Sequence, residues 1–122
     1  MDNRYFIAFF EAEGSFIDAP RKASKNDPKY YPRYNVGITQ KETYILFIIQ
    51  KYLLLFEIKS KLRPQGKCHQ LIIEDKKSLY NICKFFDEQI FETEHKKKQF
   101  EEWKIKAIKW FESGYKRRQY KL

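Results

Sequence analysis

Cysteine is scarce in this chain. Cys68 and Cys83 stand fifteen residues apart without a companion pair, which supplies neither a disulfide framework nor the paired spacing of a zinc ribbon. Both are expected reduced, with Cys83 inside a helix. Histidine is equally scarce: His69 and His95 have no second His or Cys at ligand spacing, so both read as surface or structural side chains. No apolar run reaches the ~18 residues a membrane span needs. No pattern of basic start, apolar middle and small-residue cleavage site occurs either, so the expectation is a soluble, intracellular protein with no membrane partner. No segment repeats. At 122 residues the length suits one domain with a core of its own, read here as residues 1–114 followed by a basic tail at 115–122.

Aromatic residues and positive charge are what the chain has in plenty. Aromatic content is 18%, with eleven Phe and nine Tyr. The net charge of +9 and pI near 9.5 point to a polyanion, and to nucleic acid before a membrane surface, because no basic amphipathic helix stands apart from the core. Residues 15–73 hold eleven Lys/Arg against four Asp/Glu, residues 74–122 thirteen against nine, and residues 1–14 are net acidic. The excess is concentrated where the chain reads as sheet, which favours a strand-based binding face.

Residues 15–24 and 30–40 read as two strands joined by a loop at 25–29. In the second, Tyr34, Val36 and Ile38 alternate with Arg33, Asn35, Gly37 and Thr39, one face apolar and one polar. Pro20 suggests a bulge or an edge in the first. Residues 42–56 read as an apolar core helix with Ile45, Ile48, Ile49, Tyr52 and Leu53 inward. Residues 57–63 alternate again, with Lys59, Lys61 and Arg63 on one face, and Pro64-Gln65-Gly66 turns the chain into a fourth strand at 67–74. Helices at 76–88 and 94–112 follow. The expected fold is α+β in the order αββαββα, with an extra or extended C-terminal helix and the helices on one face of a four-stranded antiparallel sheet.

The first element organises the rest. In the stretch Phe6 to Phe16, an apolar helix whose Phe6, Ile7, Phe9 and Phe10 cover nearly every face ends in Glu11-Ala12-Glu13 and stops at Gly14. Ala8 and Ala12 fall one turn apart, a small-residue strip along which a second helix could approach closely. Glu13 lies at the helix C-terminus, where the macrodipole disfavours an anion, with Gly14 placed as a left-handed cap. A bound cation would relieve that carboxylate, which makes Glu13 a metal-ligand candidate.

This stretch resembles the signature of the LAGLIDADG homing endonucleases, an apolar helix ending in acid-small-acid-Gly and leading into a strand. Glu13 matches the metal-binding acid, Ala12 the small residue, Gly14-Ser15 the exit into the first strand, and Ala8 the position most often glycine; Glu11 and Glu13 replace the usual Asp pair. The resemblance covers essentially the whole chain and implies the same αββαββα order with a saddle-shaped sheet. It implies that Gln40, in Ile38-Thr39-Gln40-Lys41, orients the attacking water. It also implies an active-site lysine in His95-Lys96-Lys97-Lys98-Gln99, with Lys96 the best match and Lys98 next. The basic residue that the family often carries shortly after the glutamine has no counterpart other than Lys41.

A polar, basic sheet face suits the major groove, where base edges carry a distinct donor and acceptor pattern. Arg33, Lys59, Lys61 and Arg63 are the candidate DNA contacts, with Ser15, Ile17 and Arg21 from the first strand and Asn35 from the second; Lys22, Lys25 and Lys29 read as phosphate contacts. Glu13 and Gly14 are the candidate metal site and Mg²⁺ the expected ion, since it takes few carboxylates and keeps waters and phosphate oxygens around it. One chain offers one such acid and two strands must be cut. A homodimer joined through Ala8, Phe9 and Ala12 on a roughly palindromic duplex site is therefore expected. The alternative of the same class is a maturase binding its intron RNA, or another non-cleaving nucleic-acid-binding protein. A protein-interaction module would require the Lys59, Lys61, Arg63 alternation to be accidental. The Lys, Ile, Phe and Tyr bias suggests an A+T-rich genome, such as that of a mitochondrion or chloroplast.

Overall fold

The computed structural model describes the backbone of residues 1–121 and the side chains of residues 1–112. Helix α1 (Asn3–Glu13) starts where Asp2 accepts a hydrogen bond from the Tyr5 amide at 2.8 Å. It buries Phe6, Ile7 and Phe10 and leaves Ala8 and Ala12 exposed. The helix is thus covered on one face only, and the small-residue strip is the open one.

Strands β1 (Gly14–Asp18) and β4 (Tyr34–Gln40) pair antiparallel, and β2 (Arg21–Lys22) pairs with β3 (Tyr30–Tyr31). The pairings Asp18↔Tyr34 and Arg21↔Tyr31 share one register, in which Pro20 falls opposite Pro32. Neither proline has an N–H to give, so the long hairpin expected at 15–40 is broken there into two ladders. Helix α2 (Thr43–Leu54) follows, then β5 (Lys61–Gln65), β6 (Cys68–Ile73), α3 (Lys76–Asp87) and α4 (Glu94–Lys121). Side chains of the basic tail expected at 115–122 lie outside the described residues; the helical backbone continues through it to Lys121.

The sheet order is β1-β4-β6-β5, all neighbours antiparallel. Its inner face carries Phe16, Tyr34, Val36, Ile38, Leu62, Leu71 and Ile73, which join Phe6, Phe10, Leu46, Ile49, Leu79, Ile82, Phe86, Phe100 and Trp103 in one core. The alternate residues, Ser15, Ile17, Asn35, Gly37, Thr39, Lys61, Arg63, Gln70 and Ile72, form the outer face, because successive side chains of a strand point to opposite sides. The fold is therefore α+β with four helices and one four-stranded antiparallel sheet, as expected. Burying each Phe of the core contributes roughly 2 kcal/mol, and Phe10 and Phe86, with ring centroids 4.8 Å apart, sit at its centre.

Three local expectations are corrected. Helix α2 is apolar all round, yet only Leu46, Ile49, Tyr52 and Leu53 are buried, Ile45 and Ile48 are half-buried, and Tyr44, Phe47, Leu54 and Leu55 are exposed. Lys59 is not in a strand. After α2 the chain turns through Glu57 at φ 57°, drives Ile58 into the core and spends the Lys59 amide on the Ser78 hydroxyl at 2.8 Å, so the ladder begins only at Lys61. The β5–β6 turn is the two-residue Gly66-Lys67, with Gly66 at φ +60°, the glycine-first geometry that matches strand twist.

Candidate functional site

Gly14 joins α1 to β1 with φ −88° and ψ 162°, extended backbone rather than the left-handed cap expected. The reason for glycine is space: a Cβ there would be driven into the Phe10 ring, which the core holds against Phe16 and Phe86. With no side chain in the way, the Gly14 carbonyl accepts a hydrogen bond from Lys96 Nζ at 2.9 Å. That ammonium lies 5.7 Å from the centre of the same Phe10 ring, a cation–π arrangement, and also donates to Gln99 Oε1 at 3.3 Å. Glu13, the preceding residue, is exposed. Burial pushes the Lys96 ammonium below its ordinary pKa, and the Glu11 carboxylate partly opposes that shift. Lys98, the other candidate, is exposed and makes none of these contacts.

Lys96 is held in place from across the chain. Glu11 Oε1 accepts from the Thr93 amide at 2.9 Å and the Thr93 hydroxyl at 3.3 Å. Thr93 Oγ1 accepts from the Lys96 amide at 3.3 Å, capping α4 in the manner of a helix-starting threonine. Thus the first acid of the Glu11-Ala12-Glu13 run pins the start of α4, and the second, exposed, directly precedes the glycine whose carbonyl Lys96 holds. Thr93, directly before Glu94 at the start of α4, carried a readable cap signal; its partner Glu11 did not.

Gln40 comes to the same end of the sheet. Gly14 pairs with Ile38, and Gln40 lies one pleat beyond Ile38, on the inner side, opposite His69. The His69 Nδ1 atom is buried without a hydrogen-bond partner among the described residues. Lys96 from α4 thus meets Gly14 at the end of α1, directly after Glu13, and Gln40 lies one pleat away on β4. Among the described residues no three His, Cys, Asp or Glu side chains cluster around one metal position, so a cation here would have Glu13 as its carboxylate, with backbone carbonyl, water and phosphate oxygens to complete its shell. That oxygen-only donor set suits Mg²⁺.

The outer face holds the other candidates, on different terms. Ser15 is exposed opposite Gly37, and Ile17 is half-buried opposite Asn35. Asn35 is 8% exposed with Oδ1 unpartnered; it is on the expected face but not open on it, because β4 is an inner strand and its neighbours' side chains close over it. Arg33 and Lys61 both reach Glu74, at 3.6 and 3.0 Å. Arg63 Nε donates to Gln70 Oε1 at 2.9 Å. Arg21 is exposed on β2, outside the main sheet, and Lys59 is exposed ahead of β5. Gln70 and Glu74 were missed by sequence reasoning; extending the alternation of Cys68, Gln70 and Ile72 through β6 would have put both on this face.

An apolar first helix that runs through a side-chain-free residue into a basic antiparallel sheet, with an acid at the junction and a docked lysine beside it, defines a narrow class of α+β proteins. The family model described as LAGLIDADG endonuclease matches residues 7–107, and the chain belongs to that family. Among solved structures it resembles the homing endonuclease I-TnaI, with 18% identity and a TM-score of 0.73 over 88% of this chain and 72% of that one. It also resembles an archaeal intron-encoded homing endonuclease solved with DNA, with 23% identity and a TM-score of 0.68 over 87% of this chain and 66% of that one. A third is I-GzeII, solved with its DNA target, at 22% identity and a TM-score of 0.72 over 89% of this chain but only 36% of that one. At these identities the likeness is one of fold. No curated protein matches the sequence significantly.

Proposed function

We propose that the protein is a site-specific double-strand DNA endonuclease of the homing type, working as a homodimer on a near-palindromic duplex site with Mg²⁺. The observation that carries the reading is the Lys96 ammonium seated on the Gly14 carbonyl beside an exposed Glu13, with Gln40 at the same end of a basic sheet. Solved relatives of the same fold are complexes with DNA, which supports duplex DNA as the partner.

In this reading Glu13 and the backbone carbonyl of Gly14 would hold the cation, with Lys96 Nζ giving up its hydrogen bond to that carbonyl when the cation binds. When bound, it lowers the pKa of the attacking water and offsets charge on the phosphoryl group. The Gln40 amide orients that water. Lys96, half-buried and held by neutral oxygens, presents its charge where it is worth more than in bulk water. Two copies are required for two strand cuts, and Ala8 and Ala12, with half-buried Phe9 beside them, form the face of α1 on which they meet.

Cleavage of a randomised duplex library, with Mg²⁺ or with EDTA, by the intact protein and by Glu13→Gln, tests the proposal. Specific double-strand products are expected from the intact protein with Mg²⁺ only. Tight nucleic-acid binding with no cutting under any divalent ion would overturn it in favour of the non-cleaving alternative, an intron RNA maturase.

A further inference from the structure

The three outer-face cations of the sheet and its margin are held in two chemically different ways. Arg33 and Lys61 share the single carboxylate of Glu74, so their charge is partly neutralised within the protein. Arg63 is held by an uncharged group. Its Nε–H donates to the side-chain carbonyl of Gln70, the residue directly across the β5–β6 ladder from it.

Gln70 is itself fixed. It is 6% exposed, and it lies on β6 beside β4, where Gly37 leaves a hollow. A Cβ on Gly37 would come within 3.1 Å of Gln70 Nε2 and 3.2 Å of Ile17 Cδ1, closer than the neighbours would allow without shifting. The missing side chain of one strand thus gives room for the amide of the next, which in turn aligns the guanidinium of the third. Because Nε–H is a donor only, the amide must present its oxygen to Arg63.

We propose that Arg63 is the guanine-reading side chain of this face, and that Gln70 and Gly37 position it. With Nε engaged, the guanidinium keeps its full charge and its two terminal nitrogens, a parallel pair of donors that matches O6 and N7 of guanine in the major groove. Holding the planar group in one orientation removes freedom that it would otherwise lose on binding. Arg33 and Lys61, tied to an acid, act on phosphates once DNA displaces Glu74. The inference rests on the DNA-binding reading above and narrows it: each half-site contains a G·C pair at the position facing Arg63.

The test is selection of bound duplexes from a randomised library by the full chain, followed by sequencing, for the wild type, Arg63→Lys, Gln70→Leu and Gln70→Glu. The wild type is expected to enrich a guanine at one position of each half-site. Arg63→Lys, at an exposed position that leaves the fold intact, should lower the preference for that guanine about tenfold while sparing the other positions, since a good bidentate pair discriminates by that order. Gln70→Leu should relax the same position, and Gln70→Glu, which ties Arg63 to an acid as Arg33 and Lys61 are tied, should not recover it; a merely structural Gln70 would alter all positions together. A selected site whose guanines are indifferent to Arg63→Lys overturns the assignment and leaves DNA binding standing. A position relaxed by Arg63→Lys but untouched by Gln70→Leu overturns the role of Gln70. Enrichment of no duplex by the wild type overturns the DNA reading itself, and this inference with it.

Discussion

At the scale of single residues, Phe10 links the core to the site: its ring excludes a side chain at Gly14 and also carries the Lys96 ammonium. Gly14 sits at φ −88°, which any residue adopts, so on backbone grounds Gly14→Ala should stabilise by about 0.4–1 kcal/mol. The steric conflict with Phe10 reverses that sign. A loss of about 1–3 kcal/mol is expected, the range for overpacking, partly recovered when Phe10→Leu is added, and a denaturant titration decides it; a stabilised Gly14→Ala would sink the account. Lys96→Met keeps an apolar stem over the ring and removes the charge. Cleavage is expected to fall on the order of 100-fold, as for the loss of one stabilising donor, with DNA affinity changed only a few-fold. Its pH signature follows from burial. The folded pKa of Lys96 lies below the ordinary value of 10.5, so in the window between the two the unfolded chain binds more protons and stability rises with pH. Melting temperatures measured across that window should show the rise in the wild type and a flatter dependence in Lys96→Met.

At the scale of elements, the start of α4 is fixed by Glu11, eighty-two residues earlier in the chain. Glu11→Ala removes the acceptor for both Thr93 groups. Hydrogen exchange at the amides of Lys96 and Lys97 is expected to accelerate and cleavage to drop about tenfold, whereas Glu11→Gln, which keeps a carbonyl oxygen, should stay near wild type. Unchanged exchange in Glu11→Ala would mean that the contact is not what holds the helix. This contact also marks the limit of what the sequence discloses. The order of helices and strands, the inner faces and the family motif around Gly14 were legible, because period-two and helical spacing report burial and because the motif is local. Glu11 to Thr93, Arg63 to Gln70 and Arg33 and Lys61 to Glu74 were not, since the first joins two helices that meet only in the packed fold and the others join residues whose adjacency exists only once the strands are in register. The extended geometry of Gly14 was missed for a related reason: a helix followed by glycine most often signals a left-handed cap, and only the packed Phe10 ring reveals the other use. Lys59 was misplaced because strand alternation continues on paper through a segment whose Ile58 the core had already claimed.

At the scale of the whole molecule, the charge and the open face of α1 have to be reconciled. A chain of net charge +9 repels a second copy of itself, so a dimer needs an interface that is apolar, close-packed and away from the basic sheet. The exposed side of α1 is the candidate we propose: Ala8 and Ala12 face outward one turn apart on a helix whose other side is committed to the core, and small residues let two helices approach closely. Because Ala12 is exposed, a large side chain there can extend into solvent in the monomer. Ala12→Arg is therefore expected to leave the melting temperature of the monomer within a few degrees, while sedimentation changes from a dimer to a single chain mass of 15.0 kDa. Double-strand cleavage should disappear with the dimer, because each chain brings only one Glu13 to the junction. If Ala12→Arg still sediments as a dimer and still cuts both strands, the two copies meet elsewhere on the molecule, and the small-residue strip has to be read as surface.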